Sequence, residues 1–265
     1  MVYQREFKRN MKSLIIWGLI IAALILMMLS IYPQIASDQK ALQTLMDVYP
    51  EGIKKAFGMG QLDFGTLLGF YGVEIYLINT LAGSIYVALL ASGILVKEEN
   101  DKTIEFLLSK PITRTSIVGQ KIAAVITNVL LLNIIITIFS LLGFQFASSE
   151  DYSGSTFAAL MFATLLLHLT IAAISFLLSS IMRRSRNIIS LSLGVVFVSY
   201  FLHIIAGISD QLSWLKYISF FKYVDAGSIV EHGSMESLYI WIMLLLSFVC
   251  IGGAIVYYKR KDIAV

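Results

Sequence analysis

An all-α chain that crosses a bilayer six times is the fold class this sequence predicts, and three observations predict it. Hydrophobic residues fill 58% of its 265 positions and charged ones only 14%, where a soluble globule carries about 25% charged residues; mean hydropathy is +0.81. Six stretches are apolar over the roughly 20 residues a helix needs to cross hydrocarbon: residues 14–32, 75–96, 122–146, 156–182, 188–208 and 238–258. The connections between them alternate in charge, and 15 of the 20 basic residues fall in the N-terminal tail, the second and fourth connections and the C-terminal end. Cytoplasmic flanks carry such an excess, so both termini are expected in the cytoplasm. The net charge of +3 is this asymmetry summed over loops. It is not a nucleic-acid footprint.

Before the first span, Tyr3, Phe7 and Met11 recur every four residues while Arg5, Lys8, Arg9 and Lys12 fill the other side. That pattern predicts a helix lying in the headgroup region; a solvated positive tail that only sets topology is the alternative. A basic start before an apolar run also describes a signal peptide. Residues 14–32 are longer than a usual signal core, however, and Pro33-Gln34-Ile35-Ala36 lacks the paired small residues of a cleavage site, so a retained first span is expected. In the outer connection, residues 33–63, Leu42, Leu45, Met46, Tyr49, Ile53, Ala56 and Phe57 keep helical spacing. Two short helices are expected there, the second opened by Pro50. Glu74 is expected where the second span meets the outer boundary.

Between the second and third spans lies a charged, helix-forming insert, residues 97–114. Glu98, Glu99 and Asp101 gather where the positive end of a helix dipole favours acids. Ile104, Leu107 and Leu108 form one apolar stripe, and Pro111 ends the helix by pushing its predecessor out of helical geometry. Thr113 or Thr115 then caps a helix that runs into the third span. A helix, a proline turn and a capped helix would deliver a push at the membrane surface to two spans at once. The insert therefore reads as a docking element for a soluble partner.

Small and polar residues repeat on one face of several spans: Asn79, Gly83, Tyr86, Leu90 and Gly93 in the second, Asn133, Thr137 and Ser140 in the third, Ser192, Val196, Ser199, His203 and Gly207 in the fifth. Such faces are first a helix-packing signature, since little else joins helices in lipid. Residues 209–237 interleave Trp214, Tyr217, Phe220, Phe221 and Tyr223 with Asp210, Lys216, Lys222 and Asp225, either a segment that dips back into the membrane or an interfacial aromatic belt. His168, His203 and His232 lie far apart, and no His-x-x-x-His or Cys-x-x-Cys pair exists to hold a metal. His168 and His203 are read as polar contacts between helices. Cys250 is the single cysteine and has no intrachain partner. No Gly-x-x-x-x-Gly-Lys-Ser/Thr run is present to wrap phosphates, so the chain is not expected to be an enzyme.

The run Glu98-Glu99, Thr103-Ile104-Glu105, Leu107-Leu108-Ser109, Pro111-Ile112-Thr113-Arg114, Ile117 and Lys121 resembles the coupling region of ABC-2 type permeases, the membrane subunits of ATP-binding-cassette exporters. The resemblance extends over the whole chain as one domain, residues 1–265, with Lys102 standing where many relatives carry glycine. It implies that Glu98, Glu99, Asp101, Thr103, Ile104, Glu105, Leu107, Leu108, Pro111, Thr113 and Arg114 seat in a groove of a separate ATPase subunit. Arg183, Arg184 and Arg186 would make a second, smaller contact. It also implies a plasma-membrane complex with a second permease, identical or related, and ATP and magnesium held by the ATPase, with no cofactor on this chain. Spans two and five would meet across the dimer axis, which makes Asn79, Gly83, Tyr86, Leu90, Ser192, Val196, Ser199 and His203 candidates for the pathway or dimer face. Two other function classes stay open: a secondary transporter, which would show internal repeats and mid-membrane ionisable residues, and a nontransporting sensor or scaffold.

Overall fold

The computed structural model describes residues 2–37, 48, 54, 62–97, 112–147, 152–182, 185–208 and 210–261, all helical or connecting, without a strand among them. Six helices are long and apolar enough to span: α1 (Val2–Ser37), α2 (Leu67–Ser92), α3 (Arg114–Phe144), α4 (Gly154–Ile181), α5 (Ser185–Ile208) and α8 (Ser237–Arg260). Each contains most of one expected stretch. The two short helices expected within residues 33–63 lie outside the described residues.

Three boundaries differ from expectation. α1 runs unbroken through the amphipathic tail and the first span, and continues past Pro33 to Ser37. Its 36 residues make a rod of about 54 Å, well beyond the roughly 30 Å of hydrocarbon. Its first turn is held on α3: the Tyr3 N–H donates to Gln120 Oε1 at 3.2 Å and the Tyr3 hydroxyl lies 3.2 Å from Thr127 Oγ1. Glu6 is buried there, with Arg9 Nη2 at 2.5 Å from Oε2. Second, α2 begins at Leu67, capped by Thr66, whose hydroxyl accepts from the Gly69 N–H. Glu74 is consequently not at the start of the span. It sits in a π-helical turn, Tyr71–Ile75, about two turns along the helix. Third, α2 ends at Ser92 and leaves through a turn at residues 93–96.

α4 is the hub, packing on α2, α5, α8 and α3. Its small and hydroxylated residues allow this: Thr156, Thr164, His168, Thr170, Ser175, Ser179 and Ser180 are all buried. Several satisfy themselves by donating to the carbonyl one turn back, as Thr164 does to Leu160 and Thr170 to Leu166, so the side chain costs little in an apolar interior. Aromatic rings close the far end, where Phe144 stands edge-on to Tyr71, Tyr152 and Phe157 at 4.8 to 5.4 Å.

After α5 the chain turns back on itself. A 3₁₀ helix (Asp210–Tyr217) runs against α5 and leads to α6 (Phe220–Tyr223) and α7 (Ala226–His232). Ser219 Oγ donates to the Ser199 carbonyl at 2.6 Å, and the Phe220 N–H donates to Ser199 Oγ at 2.8 Å. Ser199 precedes the end of α5 by nine residues, a depth of about 13 Å. The segment therefore descends beside span five instead of lying flat at its mouth. Gly233, in left-handed geometry at φ 68°, ends α7 and frees the chain to enter α8; only glycine takes that conformation without strain.

Candidate functional site

Of the residues expected to dock an ATPase, Glu98, Glu99, Asp101, Thr103, Ile104, Glu105, Leu107, Leu108, Pro111, Arg183 and Arg184 lie outside the described residues. Thr113, Arg114 and Arg186 are described. Thr113, and not Thr115, is the N-cap of α3, its hydroxyl accepting from the Ser116 N–H at 3.2 Å. Arg114 Nη1 donates 2.8 Å to the Lys261 carbonyl just past α8, and Lys261 Nζ donates 3.2 Å to the Met182 carbonyl at the end of α4. Arg186 is exposed in the first turn of α5. Cations beside helix C-termini are stabilised by the dipole's negative end, and here they also join three helix ends. Arg114 and Lys261 thus tie the first turn of α3 to the ends of α8 and α4.

Span two spends its polar face inside the chain. Asn79 Nδ2 donates to the Tyr71 hydroxyl at 2.9 Å, which lies 2.8 Å from Ser140 Oγ on α3. Gly83 has no Cβ because one would stand 2.3 Å from the His168 ring, and that ring's Nδ1 lies 3.1 Å from Asn133 Nδ2. Donation by Asn133 requires Nδ1 to be the unprotonated nitrogen. Tyr86 is buried, its hydroxyl 3.5 Å from Asn128 Oδ1. Leu90 is half-buried and lines, with Arg9, Asn10, Ser13, Gly93 and Lys97, a polar recess between α1 and the exit of span two. Spans two, three and four are therefore joined by buried polar contacts made with Asn133, Ser140 and His168.

On span five, Ser192 and Val196 are buried, and Ser199 holds the descending segment. His203 faces that segment's charges: Nε2 lies 3.8 Å from Asp225 Oδ1, and Lys222 Nζ lies 3.4 Å from Asp225 Oδ2. Asp225 also caps α7, accepting from the Ser228 N–H at 3.2 Å. His203 and Asp225 border a cavity of about 50 Å³ shared with Tyr76, Thr80 and Tyr200. Besides Leu90 and His203, which are themselves half-buried, the residues of spans two and five left partly or largely open include Ile78, Leu81, Ile85 and Leu89 on α2, and Leu191, Val198, Phe201 and Ile205 on α5.

Two features were not found from the sequence. Lys121 was counted among the basic loop residues, yet its side chain is fully buried and donates to the Ile94 carbonyl. The Ser199–Ser219 anchor was also missed; a serine inside an apolar span opposite a Ser-Phe-Phe run was the available signal.

No curated protein matches the chain. A family profile described as ABC-2 family transporter protein matches residues 1–263, a range that includes every helix described above. With six helices long and apolar enough to cross a membrane and a profile that matches nearly the whole chain, the chain belongs to the ABC-2 transporter family, as a multi-pass plasma-membrane permease of an ATP-binding-cassette transporter.

Proposed function

We propose that this permease exports a hydrophobic or amphipathic cargo, such as a peptide, an antimicrobial agent or a lipid-like compound, using ATP hydrolysed on a separate subunit. The observation that carries the cargo class is the open surface of spans two and five: Ile78, Leu81, Ile85 and Leu89 form one stripe on α2, while Leu191, Val198, Phe201 and Ile205 line α5. The polar faces of both spans are consumed by packing within the chain. A pathway assembled from two such chains would then offer an apolar wall, with Glu74 near its outer end. The complex proposed holds two permeases, identical or related, and two ATPase subunits that carry ATP and magnesium. ATP binding would draw the inserts of the two permeases together and shift spans two and five from an inward-open to an outward-open arrangement. Nucleotide drives that shift only through its different affinity for the two states.

The test is to purify the chain from its native membrane with its ATPase, reconstitute the complex in nanodiscs, and follow ATP hydrolysis against amphipathic peptides and lipophilic drugs. Stimulation by one class is expected. Glu105→Arg and Leu108→Arg should abolish co-purification of the ATPase while leaving membrane insertion intact, because the first reverses a charge in the proposed contact and the second puts one where an apolar side chain would be buried. An ATPase that never co-purifies with the wild-type chain would return the secondary-transporter and sensor readings to first place.

A further inference from the structure

We propose that Lys121 is a positioning residue that locks the exit of span two onto span three, so that a displacement of the insert moves the helices instead of being absorbed in the connecting turn. This rests on the permease reading above and adds to it a specific transmission element.

The chain leaves α2 through residues 93–96, which lead directly into the insert. A surface connection has no need to be buried, yet Ile94, Leu95 and Val96 are 2%, 0% and 0% exposed. Two helices grip consecutive residues. From α3, Lys121 Nζ donates to the Ile94 carbonyl; from α4, Ser179 Oγ accepts from the Leu95 N–H at 3.2 Å. The Lys97 N–H then closes the turn on the Gly93 carbonyl at 3.1 Å.

The residue type at this position argues for the role. Lysine near a membrane surface ordinarily lays its stem on apolar neighbours and carries its ammonium to water, and a fully buried lysine is rare. Here the ammonium is turned inward to a carbonyl at the C-terminal end of α2, where the unpaired carbonyls and the helix dipole present partial negative charge. A charge-assisted bond of that kind is stronger than a neutral one. It holds span two just beyond Ser92, the last residue of its regular helix.

The geometry also makes a closed circuit. The insert, residues 97–114, starts at Lys97 and closes on Thr113, the cap of α3, and Arg114, the first residue of that helix. Lys121 lies eight residues beyond that cap, about 12 Å along the same helix. Both ends of the insert are therefore fixed to the first turns of α3, one by the chain itself and one through Lys121. A load on the insert arrives at α2 and α3 together, and at α4 through Ser179.

The test uses the complex with the ATPase that co-purifies with the wild-type chain, in nanodiscs, on a Cys250→Ser background with spin labels at Leu81→Cys and Leu238→Cys. The change in label distances between nucleotide-free and ATP-trapped states is compared for wild type, Lys121→Met and Lys121→Arg. Methionine keeps the stem and removes the charge. The expected result is that Lys121→Met binds the ATPase in wild-type amount but loses at least half of the nucleotide-driven change, and that Lys121→Arg restores most of it. A wild-type response in Lys121→Met overturns the proposal. Should Lys121→Met fail to insert, Ser179→Ala decides: a halved response supports the lock and a full one overturns it. Absence of any ATPase from the wild-type preparation overturns the permease reading, and this inference with it.

Discussion

Spans four and six are about equally apolar in sequence, but 16 of the 28 residues of α4 are buried and 4 of the 24 of α8. The difference lies in what each carries between its leucines. α4 places seven hydroxyl or imidazole residues in the interior, and its neighbours approach on several sides. α8 buries Met243, Cys250, Ala254 and Tyr258 along one narrow stripe, and Ser247 Oγ lies 3.2 Å from Thr170 Oγ1 on α4. Trp241, Leu245, Phe248 and Val249 face outward. In water the apolar face of a helix is its interior face; in lipid both faces are apolar, and small or polar residues mark the interior instead.

That contrast can be broken most easily at Gly83. Gly83→Val would drive a branched side chain into the His168 ring, and overpacking of this kind should cost about 2 to 3 kcal/mol, read as a loss of folded chain in denaturant titration of the detergent-purified protein. Near-normal stability would mean the contact between spans two and four is far looser than described. A smaller effect is expected at the bond between spans three and four. A double-mutant cycle with His168→Leu and Asn133→Leu should return a coupling of about 0.6 to 1.7 kcal/mol, the range for interhelical hydrogen bonds in membranes; zero coupling would remove the polar contribution from the comparison. The smallest belongs to α8. Phe248→Ala, at a residue 73% exposed, should change the stability of the isolated chain by less than about 0.5 kcal/mol. A loss of 2 kcal/mol or more would show that this face is covered in solution.

Much of the fold was legible because bilayer thickness fixes span length, so the six apolar stretches each found their helix. The partners of the polar residues were not legible. Asn79, Gly83 and Tyr86 share a face in sequence, but nothing in their spacing says that Asn79 meets Tyr71 on its own span or that His168 and Asn128 wait opposite. The amphipathic tail and the first span read as separate elements because their compositions differ, whereas helical hydrogen bonding is indifferent to that change and carries α1 through both. Lys121 was hidden by its own chemistry: a lysine at the end of a basic connection reads as solvated, and only packing reveals the inward turn. Glu74 read as a boundary residue because it is the last charge before a long apolar run; the stretch preceding it is rich in glycine, and it is helical all the same.

The π-helical turn at Tyr71–Ile75 can also be viewed as arithmetic. A π-turn holds one residue more than an α-turn spanning the same bonds, so span two carries the equivalent of a single-residue insertion near its outer end. Deleting one residue among Gly72, Val73 and Glu74 would let the helix close as a plain α-helix with the register on either side nearly kept, whereas deleting one among Tyr76, Leu77 and Ile78 would rotate the Leu67–Ile75 stub by about 100° against everything that follows. Tyr71 would then turn away from Asn79 and Ser140. The outer end of span two can therefore give up a residue at the π-turn and nowhere beside it: the same shortening a few positions on would leave an equally good membrane helix and a different protein.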